Sequence, residues 1–348
     1  MKPVTLDSLA SLAALNADTI IDVRAPSEFA EDHLPGAINL PVLNDAERAE
    51  VGTIYARQSP FAARKIGGAL VASNTAQHLR TTLADKPGEW QPLVYCWRGG
   101  QRSGAFATIL DQVGWRVRLL QGGYRSYRRL VVASLYDQPL PHRLMLIDGG
   151  TGTAKTALLA HLAEAGAQVL DLEALAAHRG SLFGAVSDTQ PSQKMFESQL
   201  AAALTALDPN RITWVEAESS KIGQRILPPM LWTAMTQAPR LHLSAPLAAR
   251  ARYLTQAYAD LTGDTERLAR QIDQLRTYHS ADQLAQWHAQ AQNQNWTALA
   301  ESLMSAHYDP RYTKSSAQKP APVAEYTLKD LSPDTLAETA RQIITEMA

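Results

Sequence analysis

The stretch RLMLIDGGTGTAKTALLAHLAEAG, Arg143 to Gly166, constrains this chain more than any other. A short apolar run leads into a glycine-rich turn and then into helical periodicity, the order in which a nucleotide-binding α/β unit begins. If such a unit opens at Arg143, the residues before it must bury a core of their own. The length allows this, since 348 residues are about twice the usual single-domain size. Two prolines within DQPLPH, Asp137 to His142, mark the break. We therefore expect an α/β chain in two units, 1–136 with a parallel sheet and 137–348.

In the first unit TIIDV, PLVYCW and VRLLQG alternate with helix-like stretches. In the second, QVLDLE, RITWVEAE and RLHLSA are further strands, and the proline-free, Ala/Gln/Leu/Arg-rich span at about 246–307 reads as a helical insertion. KSSAQKPAP is expected to loop over the surface before a last strand, EYTLKDL. Ser332-Pro333 then opens a terminal helix. Hydrophobic residues make up 45% and charged residues 19%, and no apolar run nears the roughly 18 residues of a membrane helix. The N-terminal segment lacks the basic-then-apolar order of a secretion signal, so a cytoplasmic protein without membrane association is expected.

A single cysteine cannot form an internal disulfide, and no Cys/His cluster has zinc-ligand spacing, so neither a disulfide framework nor a metal is expected. Cys96 lies between the strand PLVY and the helix-like GAFATIL, where backbone N–H groups converge and a helix dipole favours an anion. In the run Cys96-Trp97-Arg98-Gly99-Gly100-Gln101-Arg102-Ser103, Arg98 and Arg102 add positive charge. Gly99 and Gly100 let the loop curl with its amides inward. This suits an ionised thiol beside a bound oxyanion, and Trp97 to Ser103 form the candidate anion-binding loop. The five residues between Cys96 and Arg102 fit a phosphatase as well as a persulfide carrier, so the loop alone leaves the reaction open.

Gly149-Gly150-Thr151-Gly152-Thr153-Ala154-Lys155-Thr156 follows the phosphate-loop pattern G-x-x-x-x-G-K-[ST], with Ala154 where a glycine is expected. Its amides, Lys155 and the helix start can wrap a diphosphate. A Cβ at 154 crowds the loop if the backbone there needs a positive φ. An acid to complete a nucleotide site would be Asp171, Glu216 or Glu218 at strand ends, none of which carries a decisive local pattern.

The segment IDVRAPSEFAEDHLPGAINLP, ending at Pro41, resembles the early signature of rhodanese-like domains through Asp22, Arg24, Glu28, Phe29, His33, Pro35, Gly36, Ala37 and Asn39. A rhodanese-like unit followed by a phosphate-loop unit resembles the tRNA 2-selenouridine synthase family. ERAEVGTIYARQSPFAA (Glu47 to Ala63), CWRGGQRS, LLQGGYRSYR (Leu119 to Arg128), DLEALAAHRGSLFG (Asp171 to Gly184) and VEAESSKIG (Val215 to Gly223) agree with it. Within that resemblance, AKT replaces the family's usual GKT.

The resemblance implies a transferase that replaces the 2-thio group of a wobble uridine by selenium. It further implies selenophosphate and geranyl diphosphate as co-substrates, an S-geranylated intermediate, and Cys96 as the carrier of selenium. No tightly bound cofactor is implied. The substrates would be the Lys, Glu and Gln tRNAs, selenophosphate synthetase would be the donor source, and the chain would act as a monomer.

From the residues we add two expectations. Lys155 and Thr156 hold the diphosphate of geranyl diphosphate and not ATP, with Asp171, Glu173, His178, Arg179, Glu216 and Glu218 as candidates for the same site, since they follow strands on the ligand-binding edge. Arg116, Arg118, Arg125, Arg128 and Arg129, with Tyr124 and Tyr127 between them, supply cations and ring faces for an unstacked base. The net charge of -1 leaves room only for such a local patch. Two other readings stay open from the residues alone: a rhodanese-type sulfurtransferase or phosphatase fused to a small-molecule kinase, and a non-enzymatic RNA-binding protein.

Overall fold

The computed structural model describes residues 1–184 and 190–347. Contacts divide them into two units, Met1–Pro139 with Pro191–Ala206, and Leu140–Gln190 with Leu207–Ala348.

The first unit is built on β1 (Lys2–Val4), β2 (Thr19–Asp22), β3 (Ala37–Asn39), β4 (Pro92–Tyr95) and β5 (Arg118–Leu120). They form a parallel sheet in the order β1-β5-β4-β2-β3. All four residues of β4 are buried, as a strand covered on both faces requires. Cys96 follows at its C-terminal end, the edge at which open α/β sheets bind ligands. The core beneath gathers Ile21, Val23, Val94, Phe106, Leu110 and Trp115.

A division near residue 137 misses one element. The helix Gln193–Ala206 packs on the helices Leu9–Ala13 and Gly123–Val132 of the first unit. Its Phe196 and Leu200 are fully buried. Local periodicity shows that a helix has an apolar face, but not which distant surface covers it.

The second unit contains β6 (Arg143–Gly149), β7 (Gln168–Leu170), β8 (Ile212–Glu216), the antiparallel pair β9 (Lys221–Ile222) and β10 (Arg225–Ile226), β11 (Arg240–Ser244) and β12 (Ala324–Thr327). Its main sheet is parallel, in the order β12-β11-β6-β8-β7. β6 and β8 are neighbours, so the loop after Gly149 and the carboxylate of Glu216 meet at one edge. The helical region gathers around Trp287, Ile272 and Leu275. It runs past the expected limit at 307, because Asp309–Ser316 is a helix that takes Lys314 to Ser316 out of the expected surface loop. Pro310 stands at its start, and the helix directly follows the π-helical turn Met304–Tyr308. Among the described residues, no helix is long and apolar enough to cross a membrane.

Candidate functional site

Cys96 is 3% exposed, and the Ser103 hydroxyl donates to its Sγ at 3.1 Å. Between them the chain turns from β4 into the helix Gln101–Val113. Among the described residues, the amides of Trp97, Arg98, Gly99 and Gly100 donate to no carbonyl or side chain. Four free donors at the start of a 13-residue helix could receive an anion near the sulfur. The loop is held from behind, since Tyr124 N donates to Cys96 O at 2.8 Å and Arg125 N donates to Trp97 O at 3.1 Å. Gly99 (φ +66°) and Gly123 (φ +56°) make this approach possible. A Cβ on Gly99 would stand 2.6 Å from Leu120 O, and one on Gly123 would overlap Cys96 O.

The two loop arginines part company. Arg98 is exposed, whereas Arg102 pairs with Glu28 at 2.6 Å and braces the helix start. Burial opposes ionisation of Glu28, but the Arg102 hydrogen bond and charge outweigh it and hold its carboxyl below the usual range. Arg102 is therefore a brace, not a free anion ligand. The remaining signature residues are architectural. Arg24 and Asp22 form a buried ion pair at 2.6 Å, the Asn39 side chain donates to the carbonyls of Asp22 and Arg24, and His33 stacks on Phe29 and bonds its carbonyl.

The expected base-stacking faces are closed. Tyr124 and Tyr127 are 3% and 1% exposed, and the Tyr124 hydroxyl donates to Asp32 at 2.6 Å. Their spacing of three on the helix Gly123–Val132 puts both on its buried face. Arg128 pairs with Glu197, and Arg118 with Leu15 O and Gln91. Arg116, Arg125 and Arg129 stay exposed.

In the second unit, Gly152 (φ +82°) and Ala154 (φ +61°) are both left-handed, so the alanine takes up the conformation that favours glycine. Its methyl is packed into the sheet core, 4% exposed. Lys155 Nζ donates to Gly149 O at 3.2 Å, and the Thr153 hydroxyl donates to Gly150 O at 2.9 Å, which closes the loop on itself. Gly149 has no room for a Cβ, since Leu243 O lies 2.5 Å from where one would stand.

Three of the six candidates converge on this loop. Carboxylate oxygens of Glu173, Glu216 and Glu218 lie within 4.8 Å of one another, and Thr156 donates to Glu173 at 3.1 Å. Burial, with the charges of Glu216 and Glu218, pushes Glu173 up to about 8. Burial likewise pushes Glu216 up to about 7 against the pull of Lys155. Glu216 is 3% exposed, and its Oε1 has no hydrogen-bond partner. An orphaned buried oxygen among like charges is what an oxygen-ligated divalent cation would satisfy, so these residues fit such an ion. The sequence had suggested no metal-ligand set, because the three glutamates come from two separated segments.

The other three candidates are engaged in other roles or lie outside the cavity lining. Asp171 caps the helix Leu172–Ala176 through the amide of Ala174. Arg179 pairs with Asp260 and covers the Tyr258 ring, while still lining the cavity beside the loop. His178 lies outside that lining, its pKa lowered by burial. Sequence reading missed Asp148, Arg250 and Tyr312. Arg250 donates to Thr151 O and pairs with Asp309, while Asp148 takes Arg240, Lys319 and the Tyr312 hydroxyl. Nothing local marks these residues, since each partner is more than 50 positions away.

The rhodanese-like domain model matches residues 5–130, and the model of the tRNA 2-selenouridine synthase AAA domain matches residues 142–269. The tRNA 2-selenouridine synthase of Nitrosomonas europaea is 38% identical over 280 residues, 78% of this chain and 72% of that protein. That of Psychromonas ingrahamii is 36% identical over 256 residues, 73% and 69%, and that of Shewanella denitrificans 38% over 250 residues, 71% and 67%. With a cysteine loop on one sheet, a phosphate loop on the other and relatives matched across both, the chain belongs to the tRNA 2-selenouridine synthase family.

Proposed function

We propose that the two loops divide the work of a tRNA 2-selenouridine synthase, with the phosphate loop serving alkylation of the 2-thiouridine and the Cys96 loop serving delivery of selenium. In the first step the thiocarbonyl sulfur attacks the terminal carbon of geranyl diphosphate, and the C–O bond breaks with its electron pair leaving on diphosphate. The alkylated sulfur is a better leaving group and C2 a better electrophile. The Cys96 sulfur then displaces geranylthiol from C2, selenophosphate attacks C2 through its selenium and releases the cysteine, and water cleaves the P–Se bond to give phosphate and 2-selenouridine.

The single observation that carries the reading is the set of four undonated amides over Cys96, a donor array matched to the oxyanion of a selenophosphate. For the other loop, Lys155 orients the diphosphate and the loop amides neutralise its charge. A divalent cation held by Glu173, Glu216, Glu218 and Thr156 would add charge neutralisation of the leaving group. Exposed Arg98, Arg116, Arg125 and Arg129 would take tRNA phosphates.

The test is mass spectrometry of wobble nucleosides after incubating thiolated tRNA with geranyl diphosphate and selenophosphate. Lys155→Ala is expected to leave 2-thiouridine unreacted, and Cys96→Ala to accumulate the geranylated nucleoside. Selenium incorporation by Cys96→Ala at the wild-type rate overturns the role of the sulfur. Tight ATP binding that geranyl diphosphate does not displace overturns the role of the phosphate loop.

A further inference from the structure

The helical region holds a second cavity that opens to solvent. Its walls are Leu261, Leu268, Trp296, Leu299, Leu303 and Met304, which present almost wholly apolar surface. Thr151, Ser181, Leu254, Tyr258 and Tyr308 line both this cavity and the one beside the phosphate loop, so the two spaces share a wall. One of the shared residues, Thr151, belongs to the loop itself.

A dry chamber opening beside a phosphate site excludes one class of ligand and favours another. A nucleobase needs hydrogen-bond partners for its ring edge, and burying those atoms among leucines leaves them unpaired at a cost. A branched hydrocarbon tail has no such requirement and gains affinity with every carbon taken from water. The ligand that fits is an amphiphile with a phosphorylated head and a short apolar tail.

We propose that this cavity binds the hydrocarbon tail of an allylic prenyl diphosphate and sets the chain length the enzyme accepts, a proposal that rests on the phosphate loop holding a diphosphate. Leu268, Leu299, Leu303 and Met304 are then specificity residues that touch the tail far from the reacting carbon. Each buried methylene is worth about fourfold in affinity. Adding the five carbons of the second isoprene unit, from dimethylallyl to geranyl, should therefore tighten binding by roughly 1,000-fold if all are buried.

The experiment measures binding of inorganic pyrophosphate and of dimethylallyl, geranyl and farnesyl diphosphates by calorimetry, on wild type, Leu303→Phe, Leu299→Trp and Met304→Ala. Pyrophosphate reports the head site and shows that each variant is folded. The filled variants, Leu303→Phe and Leu299→Trp, should bind geranyl diphosphate at least tenfold more weakly, with pyrophosphate unchanged. The enlarged Met304→Ala should shift preference towards farnesyl diphosphate and serves if the filled variants do not fold. Equal geranyl affinity in wild type and all three variants, with pyrophosphate still bound, overturns the tail site and leaves the head site standing. Failure of wild type to bind pyrophosphate or any prenyl diphosphate overturns the diphosphate reading beneath it.

Discussion

The Ser103 hydroxyl points its proton at the Cys96 sulfur across 3.1 Å, inside a pocket of protein atoms that leaves the cysteine 3% exposed. Removing the partner of a buried polar group costs about 1–3 kcal/mol. Ser103→Ala should therefore slow selenium incorporation about tenfold or more and slow alkylation of Cys96 by iodoacetamide comparably. Geranylation should continue. Unchanged alkylation and selenation rates would show that the hydroxyl has no part in holding the reactive sulfur.

Gly123→Ala should unfold the first unit more easily, by about 3 kcal/mol or more. The added methyl overlaps Cys96 O and forces alanine into a left-handed backbone as well. Gly68→Ala is the control, since its helix position has open space around it and alanine should stabilise there by about 0.5–1 kcal/mol. Urea denaturation of both variants against wild type reads the difference.

The glutamate cluster predicts an unusual dependence of stability on pH. With Glu173 at about 8 and Glu216 at about 7 against an ordinary 4.5, the folded chain keeps protons that the unfolded chain has already released. Stability contributed by these protons is present below about pH 4.5 and is lost as pH rises towards 8. Glu216→Gln should accordingly stabilise the second unit by about 1–2 kcal/mol at pH 8, with the gain fading in acid. Magnesium added at pH 8 should raise the wild-type melting temperature and leave Glu216→Gln nearly unmoved. Parallel pH–stability curves for the two proteins would count against the cluster as drawn.

For RNA, the exposed and buried members of one stretch should separate cleanly. Alanine at Arg116, Arg125 or Arg129 should weaken tRNA binding and lower the salt dependence by about one ion each, without loss of stability. Tyr124→Phe removes the donor to Asp32 and should cost about 1–3 kcal/mol of stability, while the folded variant keeps its tRNA affinity. Filter binding at several salt concentrations, with thermal melts alongside, distinguishes the two patterns.

Much of this protein could be read without coordinates, because the relevant signals are local. The run from Leu144 through Thr156 carries strand, turn and helix in adjacent residues, and PLVY followed by Cys96 and two glycines does the same for the first sheet. A strand's end and the helix after it fix where a loop's amides point, and neither depends on a distant residue.

What depends on distance was not legible. Tyr124 and Tyr127 look like free rings among arginines until the helix that carries them turns both into the core. Arg102 looks like an anion ligand until Glu28, 74 positions earlier, claims it. Glu173, Glu216 and Glu218 become one cluster only because β7 and β8 are neighbours in the sheet. Burial, ion-pair choice and cavity shape are decided by which surfaces meet in three dimensions, and residue type sets only what each surface requires once it is covered.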